Sequence, residues 1–311
     1  MEATFVRIQQ ADGYQTRLFC YETSADVVLG NILILHGMAE HHNRYLSFIR
    51  FLNKEGFDVY AYDHRGHGTD KQLSELGYLA KKNGNNLLIQ DAITVCRYIK
   101  EYGRSEKLSV FGHSMGSIIL RCVIQQYHEI DSAIVSSTAV TPQLISSIGL
   151  FIANTVCLFR GKKKRSAFLY NMMFGSKPYT SLCSRTAYDW LTRNNTIIGQ
   201  YISDPYCGFL CTTSFYRDLT KLSKQASLKR NIAKAKRELP ILFLTGDKDP
   251  VGGYSKHVIR LLKQHTALGF TNASLIIYPE ARHELLNELN AEEVLQDILS
   301  FLHQNLEQTN L

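Results

Sequence analysis

The chain has no visible start for export: Met1-Glu2-Ala3-Thr4-Phe5-Val6-Arg7 lacks a basic segment followed by an apolar core, so no secretory signal is expected. It also lacks paired cysteines. The seven present are odd in number and scattered, which points to free thiols in a reducing compartment and to a cytoplasmic protein. No apolar run reaches the ~20 residues that a spanning helix needs. The nearest, Leu144 to Phe159, is broken by Ser146, Ser147, Asn154 and Thr155 and is read as too short and too interrupted to cross a bilayer. Metal-ligand sets are missing as well. His64 and His67 stand at His-x-x-His spacing without accompanying acids or cysteines, and Cys207 and Cys211 have no second pair and no histidine at ligand spacing. Neither a metal nor a cofactor is therefore expected. No internal repeat, low-complexity tract or nucleic-acid-binding fold is visible, which excludes nucleic acid as an expected partner.

What is present describes a globular chain. With 311 residues, 45% hydrophobic and 20% charged, it can bury the core of one large domain carrying an insertion. The formal charge of +7 is expected to be mostly solvated exterior.

The chain is punctuated around Val110-Phe111-Gly112-His113-Ser114-Met115-Gly116, an apolar strand running into Gly-x-Ser-x-Gly and then a helix-forming run. A sharp strand-to-helix turn brings the backbone close to itself at its first and last positions, where Gly112 and Gly116 add no bulk. Around this motif the pattern alternates. Phe5 to Ile8 and Arg17 to Tyr21 flank Asp12-Gly13 as a hairpin, and Asn31 to Leu35 reads as a strand buried on both faces. Arg44 to Glu55 reads as a helix, Phe57 to Tyr62 as a strand, Asn86 to Glu101 as a helix, Lys107 to Gly112 as a strand, Ser117 to His128 as a helix and Ala133 to Val135 as a strand. Between them, Asp63-His64-Arg65-Gly66-His67-Gly68 is expected to be a loop cross-braced by its own Asp and Arg. From Thr141 to Glu238 no convincing strand appears. The sheet resumes at Leu239 to Thr245, with a helix from Ser255 to His265, a strand from Ala273 to Tyr278 and a final helix opened by Asn290 and Glu293 as a capping box. Strands alternating with helices, a nucleophile elbow in mid-chain and a helical insertion describe an α/β-hydrolase, mostly parallel, with a core of 1–140 and 239–311 and a helical cap of 141–238.

In that fold the acid follows the serine and the histidine comes last. Two aspartates follow the strand ending at Thr245. Asp249 has the Gly-x-x-Asp spacing; Asp247 lies nearer the strand end and is the alternative. His283 follows the strand ending at Tyr278. The expected catalytic set is Ser114 as nucleophile, His283 as general base and Asp249 as its orienting acid. Two backbone N–H groups are expected to form the oxyanion hole, one from Met115 and one from Met38.

These motifs resemble the monoacylglycerol lipase and lysophospholipase branch of the α/β-hydrolases, sometimes labelled serine aminopeptidase-like. The likeness lies in His36-Gly37-Met38-Ala39-Glu40-His41 with Arg44-Tyr45, in Asp63 to Gly68, in Gly112 to Gly116, in Gly246-Asp247-Lys248-Asp249-Pro250-Val251 and in His283. The resemblance implies cofactor-free hydrolysis of single-acyl glycerol or glycerophospholipid esters. A broader carboxylesterase or thioesterase, and a receptor that keeps the site without turnover, are the rival readings. No acidic cluster suited to a substrate amine is evident, which counts against a peptidase. In the cap, Leu144 to Phe159 is expected to lay its apolar side over an acyl pocket. The run Lys162-Lys163-Lys164-Arg165 that follows it is expected either to be solvated or to bring the cap transiently onto an anionic membrane surface.

Overall fold

The computed structural model describes residues 3–307. A hairpin of β1 (Thr4–Gln9) and β2 (Gln15–Tyr21) turns at Asp12-Gly13, where Gly13 takes a positive φ of 83°. β2 runs antiparallel to β4 (Phe57–Tyr62). The remaining strands, β3 (Gly30–Leu35), β5 (Leu108–His113), β6 (Ser132–Ser136), β7 (Ile241–Gly246) and β8 (Ala273–Tyr278), run parallel in the order β1-β2-β4-β3-β5-β6-β7-β8. Every residue of β3, β4, β6 and β7 is buried, as apolar strands covered on both faces must be. The α/β-hydrolase architecture expected from the sequence is the one observed.

One face of the sheet is covered by α1 (Leu46–Lys54) and α11 (Ala291–Glu307), the other by α2 (Gly84–Tyr102), α3 (Met115–Val123) and α10 (Lys256–Ala267). From β3 the chain crosses through α1 to β4 on one side; from β5 it crosses through α3 to β6 on the other. The crevice between the carboxyl ends of β3 and β5 is thus a topological switch point, the place where such sheets bind ligands.

Between β6 and β7 lie α4 (Gln143–Arg160), α5 (Ala167–Phe174), α6 (Lys177–Thr180), α7 (Asn195–Ser203), α8 (Thr213–Ser227) and α9 (Lys229–Ile232). α8 packs on α2 and α3, placing Phe215, Leu222 and Ala226 in the same apolar cluster as Ile119. α4 then rests on α8, burying Ser146, Ala153 and Cys157. The polar residues that break the apolar run do not break the helix. Ser147 Oγ donates to Gln143 O (2.8 Å) and Thr155 Oγ1 to Phe151 O (3.0 Å), so these two hydroxyls are satisfied one turn back, while the buried Ser146 Oγ has no partner; the helix runs on unbroken. By length and composition alone α4 is long and apolar enough to cross a membrane, contrary to the reading of its sequence.

Three further expectations are corrected. The helix expected over Arg44 to Glu55 opens as a 3₁₀ turn, His42–Tyr45, before α1. α3 begins at Met115, directly after the serine, and ends at Val123 rather than His128; Gln126 N already bonds Val123 O at i→i+3. Asp63 and Arg65 do not brace each other. Asp63 accepts from His42 N (2.8 Å) and His42 Nδ1 (2.9 Å), whereas Arg65 grips Asp12 and Asp91, each bidentately.

His36, His64 and His67 are buried together under the crevice. His36 Nδ1 donates to Gly37 O and its Nε2 accepts from His64 N, an arrangement that requires the neutral ring. Burial pushes all three down, His64 to about 3 and His67 to about 4, and lowers His113 and His265 to about 4 as well. The unfolded chain binds a proton at each near 6.5 while the folded chain does not, so stability is lost as pH falls below that value. The one opposing histidine, His283, is shifted up. Melting temperature measured by calorimetry should therefore fall steadily from pH ~6.5 to pH ~4; a flat profile over that window would contradict the neutral-histidine assignment.

Candidate active site

Ser114 sits in the turn from β5 to α3 with φ 51° and ψ −115°, a conformation a serine adopts only when the surrounding chain enforces it. A Cβ on Gly116 would meet Leu35 O at 2.0 Å, and one on Gly112 would meet Gly116 O at 2.6 Å. The two glycines are there because the turn crosses against its own backbone and against the end of β3.

Three side chains from separate strand ends converge here. Ser114 Oγ lies 2.9 Å from His283 Nε2, and His283 Nδ1 lies 3.1 Å from each oxygen of Asp249, which is wholly buried. Asp247, the alternative acid, is not part of this line; its carboxylate lies 3.6 Å from Lys248 Nζ. Ser137 Oγ donates to His283 O (2.6 Å), and Glu284 N donates to Leu191 O (2.7 Å), so the backbone carrying the imidazole is tied on both sides. Burial alone would lower the affinity of His283 for a proton, but the Asp249 carboxylate outweighs it and holds the ring above its ordinary 6.5.

Met115 is the first residue of α3, so its N–H belongs to the first-turn donors that have no partner within the helix. In the loop after β3, Gly37 N is taken by Glu40 Oε1 (2.5 Å) and Ala39 N by His67 Nε2 (3.1 Å), and Met38 lies between them. His67 is thus a brace for this loop. Both methionines line a cavity of about 520 Å³ that opens over Ser114 and His283. Its far wall is apolar: Ile145, Ile148 and Ile152 from α4, and Met173 and Phe174 from α5.

The sequence left several neighbours without a role. Trp190 packs on the His283 ring at 5.1 Å between centroids, and His113 on its other neighbouring side at 4.8 Å. Arg44 Nη1 and Nη2 clasp Glu284 (2.7 and 2.6 Å), Nη1 also reaches Glu40 (2.5 Å), and Tyr45 OH donates to Glu40 (2.8 Å). Burial opposes ionisation of both glutamates, but Arg44 overcomes it and holds them below the usual carboxylate range. Their combined charge leaves one net negative unit behind His283 and His113. The signal was there in Glu40-x-x-x-Arg44-Tyr45, but Glu284 comes from the far end of the chain and has no local mark.

Removing Arg44 would leave two buried carboxylates beside each other without a counter-ion. Arg44→Ala should cost about 3–5 kcal/mol of stability, read from urea unfolding; a loss of under ~1 kcal/mol, the value of an exposed pair, would refute the account.

Comparison with known proteins follows the same lines. Residues 27–290 match the family model Hydrolase_4, described as serine aminopeptidase, S33. The monoacylglycerol lipase of Mycolicibacterium smegmatis is 25% identical over 291 residues, covering 89% of each chain, and the probable lysophospholipase L2 of Haemophilus influenzae is 24% identical, covering 88% of this chain and 83% of its own. Among solved structures, a thermostable carboxyl esterase from Bacillus coagulans in complex with glycerol superposes with a TM-score of 0.89 at 23% identity, covering 98% of this chain and 99% of its own. A soluble variant of monoglyceride lipase from Saccharomyces cerevisiae superposes at 0.74 with 18% identity, covering 98% and 95%. With the family model spanning most of the described residues, this chain belongs to the serine aminopeptidase S33 family of hydrolases.

Proposed function

We propose that the protein is a serine hydrolase of carboxylic esters in single-acyl lipids, monoacylglycerols or lysophospholipids, working through an acyl-enzyme on Ser114. The observation that carries this reading is an apolar cavity of about 520 Å³ with a serine–imidazole–carboxylate line at one end. His283 Nε2 takes the Ser114 proton as Oγ attacks the ester carbonyl, and Asp249 keeps the other ring nitrogen protonated and stabilises the imidazolium. The N–H groups of Met38 and Met115 receive the oxyanion. The imidazolium then protonates the leaving alcohol, and water, activated by the same ring, releases the fatty acid. Relatives named as a monoacylglycerol lipase and a probable lysophospholipase support the substrate class.

Residues 141–238 act in this scheme as the substrate-selecting cap: α4 and α5 supply the acyl wall, while α8 seats them on the catalytic body. Only part of α4 faces the cavity. Leu144, Phe151, Leu158 and Phe159 point outward at 72–82% exposure, with Phe168 and Met172 of α5 also exposed. Beside them stand Lys163 and Lys164. Arg165 is drawn away, donating to Leu210 O (2.8 Å) and Leu73 O (2.6 Å). An exposed apolar face flanked by cations suits transient docking on an anionic bilayer, from which a single-acyl lipid would enter the cavity. Seven free thiols fit a reducing, cytoplasmic setting for that encounter.

Ser114→Ala should lower ester turnover by ~10⁵-fold or more and abolish labelling by a fluorophosphonate, while wild type prefers medium or long acyl esters over short ones. Preference for short or aromatic esters would favour a general carboxylesterase or thioesterase, and labelling without turnover on any ester would favour a receptor. Phe151→Glu with Leu158→Glu should reduce co-sedimentation with anionic vesicles while leaving hydrolysis of a soluble ester intact; equal binding by wild type and variant would remove the docking assignment.

A further inference from the structure

Arg44 also borders a second cavity of about 210 Å³, lined by His41, Asp204 and Cys207 together with Asn43 and Gln200. We propose that His41, Asp204 and Cys207 form a binding site for a zinc-class divalent ion that ties the loop after β3 to the segment after α7.

The three residues each bring one ligand atom to within 4.8 Å of the other two. Ligands of a tetrahedral ion held at ~2.0–2.3 Å stand somewhat closer than that, so only small side-chain movements separate this arrangement from a coordinating one. Asp204 is the hub. Its Oδ2 lies 2.8 Å from His41 Nε2, its carbonyl accepts from Cys207 N (3.0 Å), and Tyr206 N donates to its Oδ1 (2.8 Å), fixing the turn from 204 to 207.

A second observation points to a missing ligand. His41 is 96% buried, since only 4% of it is exposed, and its Nδ1 has no hydrogen-bond partner. With Nε2 donating to Asp204, that nitrogen is left with a buried and unused lone pair. The ring is held through Nε2 alone, the nitrogen that already faces Asp204 and would serve as the ligand. The donor set, one imidazole, one carboxylate and one thiolate, is that of zinc, with the fourth position open to the cavity for water.

The charge balances. Binding releases the Cys207 proton, and thiolate plus Asp204 carboxylate then neutralise the ion. Arg44, the nearby cation, is already held by Glu40 and Glu284. Cys207 has no histidine at ligand spacing in the sequence because its partner, His41, lies in the first motif of the chain; folding brings them together.

Such an ion would join two segments already in contact, since Gly208 N and Tyr201 OH both donate to Ala39 O (2.9 and 3.2 Å). Ala39 follows Met38 and carries a positive φ of 53°. Occupancy would therefore stiffen the loop that holds the proposed oxyanion donor. The site stands independently of the ester-hydrolase reading.

The test is cobalt titration of the chelator-stripped full-length protein. One equivalent of Co²⁺ per chain should produce a thiolate-to-cobalt charge-transfer band in the near ultraviolet, absent in Cys207→Ala, and Asp204→Asn should weaken Co²⁺ binding by about tenfold or more. Zn²⁺ should raise the melting temperature of wild type and leave that of Cys207→Ala unchanged. No charge-transfer band in wild type at large cobalt excess, or the same band in Cys207→Ala, overturns the proposal. If Cys207→Ala fails to fold by circular dichroism, Asp204→Asn decides, and unaltered cobalt affinity in it counts against the site.

Discussion

The structure depends on one close approach: the backbone of Gly116 lies so near the end of β3 that a single methyl group there would overlap Leu35 O. That contact holds Ser114 in its positive-φ turn and brings the loop carrying Met38 against the start of α3. The proposed nucleophile and oxyanion donors are therefore parts of one packing event. The strain of the serine conformation, on the order of 1–3 kcal/mol, is offset by the buried sheet on which it sits.

A second constraint is electrostatic. Two buried glutamates and one arginine lie behind the imidazole, and their net negative charge adds to that of Asp249 in favouring the charged ring that forms during proton transfer. On the other side of the crevice, His36, His64 and His67 are kept neutral by burial and serve as hydrogen-bonding struts. The same side-chain type is thus held in two protonation regimes: at His283 the directly bonded Asp249 outweighs burial, whereas in the His36, His64 and His67 cluster burial outweighs the pull of Asp63.

Between β6 and β7, one helix faces three ways. α4 gives its small residues to α8, three isoleucines to the cavity and its largest apolar groups to the exterior. Periodicity marks such a run as helical but does not say which neighbours its several apolar sides will meet. That is why the expectation of an apolar side over the pocket holds for Ile145, Ile148 and Ile152 but not for Phe151 or Leu158.

The amino-acid sequence by itself determined the alternation of strands and helices, the turn at Gly112 to Gly116 and the three strand ends where Ser114, Asp249 and His283 stand. Each of these is written in local pattern, as apolar period, glycine placement or spacing from a strand. Tertiary structure alone decided that Asp63 and Arg65 part company, that Glu284 closes on Arg44 and that His41 meets Cys207. Those pairings join residues distant along the chain, and their energy comes from shared burial, which no local window of sequence records.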